Sequence, residues 1–149
     1  MQASTLLSVR EIIRWPLWIW LLVIGLDFSI VLAFWAALGN SATWIALFIL
    51  LLLSGFFYQF TKLKIEVTSD VIKVGRANIA KTFLGDIEIL KDDQMKHLRG
   101  PGINPSAFLA LRFWVRGGVK INIADPRDPT PYWLVSTKDP EKVIKAIKD

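Results

Sequence analysis

Asp125 and Asp128 stand in one proline-rich stretch, Asp125-Pro126-Arg127-Asp128-Pro129-Thr130-Pro131. Paired carboxylates can do acid–base work or hold a divalent cation. A hard cation would need further oxygen ligands that the surrounding sequence does not identify, and aspartate and proline each favour turns for independent reasons. We therefore read the pair as turn and cap residues. His97, with Asp93 four residues earlier and Ser106 downstream, is the other triad-like grouping. No nucleophile-elbow glycine pattern surrounds Ser106, so a solvated histidine is the simpler reading. Gly100-Pro101-Gly102 lacks the lysine and serine of a phosphate loop and the spacing of a dinucleotide fingerprint, and reads as a rigid turn. Asp27 differs from all of these, because it lies in the middle of a long apolar run.

The elements that must position these residues follow from the composition. Of 149 residues 53% are apolar, mean hydropathy is +0.42, and there is no cysteine. Disulfide frameworks, thiolate zinc sites and cysteine nucleophiles are thereby excluded. The single histidine rules out any site needing two imidazoles. No metal and no cofactor is expected. The apolar residues are segregated, since Asp27 is the only formal charge between Pro16 and Phe60.

Residues 16–38 form a run of roughly 34 Å if helical, and residues 42–60 one of roughly 29 Å, against a hydrocarbon core of about 30 Å. Gly39-Asn40-Ser41 between them permits only an antiparallel hairpin. Trp15, Trp18 and Trp20 mark one interface, Trp35 and Trp44 flank the turn, and Phe56, Phe57, Tyr58 and Phe60 return to the first. Arg10 and Arg14 precede the first span and Lys62 and Lys64 follow the second, which puts both termini in the cytoplasm by the positive-inside rule. The apolar run is too long for a usual signal peptide and a second span follows directly, so residues 1–60 read as an uncleaved two-helix anchor.

Asp27 costs about 2.5–3.5 kcal/mol on insertion, outweighed by the aliphatic and aromatic residues around it. It is open to two readings: a functional group (proton relay, ion ligand or partner contact), or a protonated carboxyl hydrogen-bonded within the bundle, with Ser54 as a candidate partner. Gly25, Ser29, Ala33 and Ala37 recur every four residues and form a face on which another helix can pack closely. Asp27 points about 200° away from Gly25. If the second span covers the small residues, Asp27 faces another protomer or another membrane protein.

From Thr61 the period becomes alternating. Leu63, Ile65 and Val67 alternate with Lys62, Lys64 and Glu66 as in a half-buried strand, and Ile72 and Val74 follow after the turn Thr68-Ser69-Asp70. Further strands are expected over 77–81, 86–90, 108–115, 119–124 and 132–137, with Gly117-Gly118 as a hairpin turn between two of them. A short helix is expected over 92–99. Asp139 caps a C-terminal helix starting at Pro140, with Val143, Ile144 and Ile147 on its apolar face. The expected fold is α+β: a transmembrane helical hairpin, then over 61–149 a barrel or sandwich of about seven strands closed by a helix, an order like that of pleckstrin-homology-like domains.

Within that domain come Val74-Gly75-Arg76-Ala77, then Arg99-Gly100-Pro101-Gly102 leading to Pro105 and Ala107-Phe108, then Asp125-Pro126 and Asp128-Pro129-Thr130-Pro131-Tyr132-Trp133-Leu134-Val135-Ser136-Thr137. By these motifs, in order and over nearly its whole length, the chain resembles the actinobacterial membrane proteins grouped as domain of unknown function family 3093. Phe113 stands where that family's pattern has proline. The resemblance implies a bacterial inner membrane protein and assigns no activity and no catalytic residue.

The net charge of +5 lies wholly in 61–149, because Arg10 and Arg14 are balanced by Glu11 and Asp27 in the anchor. Arg112, Arg116 and Lys120 bracket the two glycines as a basic tip, suited to anionic lipid headgroups at about 1 kcal/mol per charge near the surface. No nucleic-acid motif accompanies the charge, and no nucleic-acid partner is expected. The sequence reading is a non-enzymatic membrane-anchored binding or scaffold module. Its contact surface is Arg99, Arg112, Arg116 and Trp133, and Asp27 contacts a membrane protein partner or a second copy of the chain. An auxiliary subunit of a transporter or envelope-synthesis complex is the alternative, and a hydrolase using Asp125, Asp128 and His97 comes third.

Overall fold

A computed structural model describes residues 7–149. Arg14–Lys62 forms one unit, and the strand Leu7–Ile13 together with Leu63–Asp149 forms the other.

The first unit is two helices, α1 (Leu17–Leu38) and α2 (Asn40–Thr61). Each has 22 residues, about 33 Å of helix, enough to cross a membrane. Pro16 is the N-cap of α1, where its missing N–H costs nothing. The turn is shorter than the three residues expected, because Gly39 alone makes it. Its φ of 79° is open to glycine and strained for other residues. Its N–H closes α1 on the Trp35 carbonyl, and its own carbonyl accepts from Thr43 N–H and from Thr43 Oγ1 at 2.8 Å. Asn40 and Ser41 thereby join the first turn of α2. Apart from the seam between the helices their surface is apolar and exposed, with Leu21, Leu22, Phe28, Phe48 and Leu52 each more than half exposed.

In the second unit, β1 (Leu7–Ile13), β2 (Leu63–Thr68), β3 (Val71–Val74) and β4 (Ala77–Ala80) form an antiparallel sheet in chain order. β1 lies inside the stretch that sequence reading assigned to the anchor. It is short and precedes the long apolar run, so its alternation is easily taken for a basic flank of the first helix. Ile13 faces Leu63 and Arg10 faces Glu66 across the β1–β2 ladder, with an Arg10–Glu66 ion pair at 3.4 Å. The helical hairpin is therefore an insertion between two hydrogen-bonded neighbours.

A second sheet holds β5 (Leu84–Leu90), β7 (Gly118–Ile123), β8 (Tyr132–Ser136) and β6 (Phe108–Ala110), in that spatial order, with β6 parallel to β8 and the other pairs antiparallel. Two expectations are corrected here. The strand expected over 108–115 ends at Ala110, and it does not form a hairpin with β7, because β8 lies between them. Neither Gly117 nor Gly118 has positive φ. Gly118 serves close packing instead: a Cβ there would overlap the Val135 carbonyl oxygen and lie 2.6 Å from Met95 Cε.

Side chains of both sheets share one apolar layer: Ile13, Leu63, Ile65 and Val67 from the first, Val119, Ile121, Trp133 and Val135 from the second. Helix α4 (Pro140–Lys148) adds Val143, Ala146 and Ile147, and Asp139 caps it by accepting from Lys142 N–H. Lys81 Nζ donates to the Ala146 carbonyl at 2.7 Å, a cation at the negative end of that helix. Helix α3 (Asp92–Arg99) covers the other face of the second sheet, where Met95 meets Leu90, Tyr132 and Leu134. Coverage on both faces explains the unbroken apolar run of β8.

Candidate functional site

Within the hairpin, Ser54 Oγ donates to Asp27 Oδ2 at 2.8 Å. Asp27 also lines an apolar cleft of about 220 Å³ with Ile24, Phe28, Val31, Leu47 and Leu51. The second helix therefore covers the Asp27 side of α1 and leaves the small-residue row uncovered: Gly25, Ser29, Ala33 and Ala37 are all exposed. This reverses the conditional arrangement considered from sequence, in which α2 covered the small residues. Pairing a carboxyl with a hydroxyl inside the apolar seam offsets the cost of burying either alone. Trp15, Trp20 and Tyr58 pack together at the open end of the hairpin, with ring centroids 5.0–5.5 Å apart, and Lys62 Nζ lies 4.3 Å from the Tyr58 ring centre.

In the strand-rich unit, the four residues expected to form a contact surface have different roles. Trp133 is 4% exposed and packs against Phe108 with ring centroids 4.9 Å apart, so its indole belongs to the core and not to the surface. Alternation along β8 turns Trp133 toward the first sheet, and Tyr132 and Leu134 toward α3. Arg99 is half-buried, and its Nη2 donates to the Val115 carbonyl at 3.2 Å, which ties the end of α3 to the 111–117 loop. Arg112 is also half-buried: its N–H donates to Ser136 Oγ at 3.0 Å and its Nη1 to the Leu111 carbonyl at 2.7 Å. Burial pulls its guanidinium below the ordinary arginine value. Of the three arginines only Arg116 is exposed. Lys120, expected at the same tip, lies within β7 and faces Glu88 at 3.8 Å and the Tyr132 ring.

Two residues that sequence reading did not offer as contact residues shape this loop. Phe113 is 69% exposed and lies edge-on to Trp114 at 4.8 Å. Its signal was an aromatic pair between Arg112 and Arg116 just before two glycines. Glu11 on β1 accepts from Thr137 Oγ1, and its Oε1 accepts from Lys138 N–H at 2.8 Å. Thr137 in turn donates its N–H to the Gly117 carbonyl. The carboxylate thus fastens β1 to the end of β8 and, through Thr137, to the foot of the 111–117 loop. Nothing local in sequence pairs residues that far apart.

The groups considered for catalysis have local partners. Asp125 accepts from Arg127 N–H at 3.0 Å and from Arg127 Nε at 3.2 Å, which holds its carboxyl below the usual carboxylate range. Asp128 accepts from Thr130 N–H at 2.9 Å. Both are aspartate turns. His97 packs on Gly102, whose N–H donates to the His97 carbonyl, and the ion pair on α3 is Asp92 with Lys96 at 3.0 Å instead of Asp93 with His97. Ser106 N–H donates to Asn104 Oδ1, closing a turn. Among the described residues no three His, Asp or Glu come together as metal ligands would.

One family model, described as protein of unknown function (DUF3093), matches residues 9–147, from within β1 to within α4. No curated protein and no solved structure matches the chain. Because the match takes in both helices and both sheets, the chain belongs to the DUF3093 family of proteins of unknown function.

Proposed function

We propose that this chain is a non-enzymatic binding or scaffold module held at the cytoplasmic face of the bacterial inner membrane by its helical hairpin. The observation that carries the reading is the insertion of two long apolar helices between β1 and β2, strands paired from Ile13–Leu63 onward. Helices with so much exposed Leu, Ile, Val and Phe need an apolar surrounding, and lipid supplies it. Arg14 and Lys62 at the open end and no charge at the Gly39 turn favour cytoplasmic termini. Two sheets closed by a C-terminal helix support a pleckstrin-homology-like domain, a frame whose ligand must be sought in its surface. The local engagement of Asp125, Asp128 and His97 favours binding over hydrolysis.

In-cell crosslinking with mass spectrometry tests this reading, comparing the native chain with Arg116→Glu. Loss of a defined set of protein or lipid adducts in the variant is the expected result. Turnover of a substrate by the purified chain, or a chain released from membranes by alkaline carbonate, would contradict it.

The uncovered row Gly25, Ser29, Ala33 and Ala37 favours a second reading, an auxiliary subunit of a transporter or envelope-synthesis complex joined through α1. Constitutive co-purification with a larger complex, lost in Ala33→Leu, distinguishes it.

A further inference from the structure

The bond to Ser54 does not exhaust the Asp27 carboxyl. Ser54 Oγ donates to Oδ2 at 2.8 Å, and among the described residues nothing donates to Oδ1. The side chain is half-buried and forms part of the wall of the 220 Å³ cleft, whose other side chains, Ile24, Phe28, Val31, Leu47 and Leu51, present only carbon. Ile24, Phe28 and Leu51 are each more than half exposed, so the cleft opens to the surroundings of the hairpin. Neither helix brings a second charge, because Asp27 is the only formal charge between Pro16 and Phe60. Tyr58, the other titratable group of the two helices, packs with Trp15 and Trp20 at the open end.

A carboxylate so placed selects a cation, and the chemistry of the cleft selects which kind. A metal ion needs several oxygen ligands in exchange for its water, and the cleft offers one carboxyl whose neighbouring hydroxyl is already committed. A lysine or arginine from another helix brings three or five N–H donors, more than one carboxylate oxygen satisfies, and the rest would lie unpaired among carbon. A second copy of the chain has no cation in its spans to offer. An organic cation whose charge is shielded by alkyl groups has no donors to satisfy. Its alkyl groups match the aliphatic walls, Phe28 supplies an aromatic ring of the kind that attracts such cations, and the charge meets the carboxylate at low dielectric.

We propose that the Asp27 cleft binds a lipophilic quaternary cation taken from the hydrocarbon layer, with Asp27 as its counter-ion and Ser54 as the positioning residue that holds the carboxylate in place. This rests on the reading of the hairpin as membrane-spanning. Such a cation reaches the cleft by partitioning into lipid, so the site needs no aqueous pore. A proton and the cation compete for one carboxylate, and acid therefore expels the ligand.

The full chain is reconstituted in nanodiscs of phosphatidylcholine, a lipid without net charge, and binding of radiolabelled tetrapropylammonium is measured by equilibrium dialysis against empty nanodiscs. The expected result is saturable binding of one cation per chain. Asp27→Asn, which keeps an acceptor for Ser54 and removes the charge, weakens it at least about tenfold. Leu47→Trp, which fills the cleft and leaves Asp27 in place, weakens it to a similar degree, with native helicity by circular dichroism as the check on folding. Ser54→Ala lowers the affinity, and Ser54→Thr, which returns the hydroxyl, restores it. Once the carboxyl is mostly protonated, affinity falls by up to about tenfold per pH unit. Saturable binding that Asp27→Asn leaves unchanged overturns the counter-ion and the site. No saturable binding by a native chain that resists alkaline carbonate extraction overturns the cation site and leaves the anchor standing. A chain that carbonate releases overturns the membrane-spanning reading and the site with it. Loss of a co-purifying membrane protein in Asp27→Asn, with no cation bound by the native chain, assigns the carboxyl to a partner helix and overturns the proposal.

Discussion

Ile13 and Leu63 are register partners across β1 and β2, with both apolar helices between them in sequence. The hairpin therefore leaves and re-enters one sheet at adjacent strands.

Removing the Glu11 clasp should loosen the unit as a whole. Glu11→Ala leaves the Thr137 hydroxyl and Lys138 N–H without their acceptor, and hydrogen bonds to a charged group are worth about 1.5–3 kcal/mol. Thermal unfolding of the full chain in detergent should show a Tm lowered by several degrees. An unchanged Tm would mean that the β1–β8 contact carries no stability.

Asp27 and Ser54 should be coupled energetically. Polar pairs within membranes average about 0.6 kcal/mol and reach about 1.7 kcal/mol in double-mutant cycles. Ser54→Ala alone is expected to destabilise the hairpin, whereas Asp27→Leu with Ser54→Ala together should recover the loss. Additive effects in steric-trap or denaturant measurements would show that the 2.8 Å bond contributes nothing.

Gly118→Ala forces a methyl against the backbone oxygen of Val135, which a side-chain rotation cannot relieve. About 3 kcal/mol of destabilisation is expected, the upper range for overpacking. Gly100, whose nearest neighbour to an added Cβ is 3.3 Å away, should tolerate alanine better. Comparable melting curves for the two variants would contradict the close approach of β7, β8 and α3.

The arginines should separate by role. Arg99→Ala strips the Val115 carbonyl of its donor and should cost about 1–3 kcal/mol, while exposed Arg116→Ala stays within about 0.5 kcal/mol of the native chain. Denaturant titration read at the domain distinguishes them.

The 125–128 turn has a definite pH dependence. Arg127 N–H and its guanidinium lower the folded-state value of Asp125 below its ordinary 3.8. A depressed carboxyl stabilises the fold above its unfolded value, and that contribution is lost as pH falls through the folded value. Protection of the Arg127 amide, relative to its intrinsic exchange rate at each pH, should therefore be lost only in acid, below about pH 4, and Asp125→Asn should remove this acid step. A step centred near neutrality would point to another group.

Much of this architecture is legible in the sequence, and the exceptions share a cause. The helices and the Asp139-capped α4 follow from period, length and capping, all local. So does β2, whose alternation survives in its burial pattern. The Asp27–Ser54 pair was a candidate because few polar side chains occupy the spans. What failed was non-local: β1 pairs across the hairpin, β8 inserts between β6 and β7, and Gly118 answers to Met95 and Val135 instead of to a turn. Trp133 shows the same limit, since an aromatic in an apolar strand covered on both faces is core, and its sequence neighbours do not reveal the second cover.

The central claim is that the hairpin crosses the inner membrane and leaves the strand-rich unit in the cytoplasm. Single cysteines in the cysteine-free chain, probed with a membrane-impermeant maleimide, test it most directly. Asn40→Cys beside the Gly39 turn should label in cells whose outer layers admit the reagent and whose inner membrane is intact. Asp70→Cys and Lys138→Cys should label only after lysis. Labelling of Asp70→Cys or Lys138→Cys in intact cells, or protection of Asn40→Cys until lysis, would contradict the account.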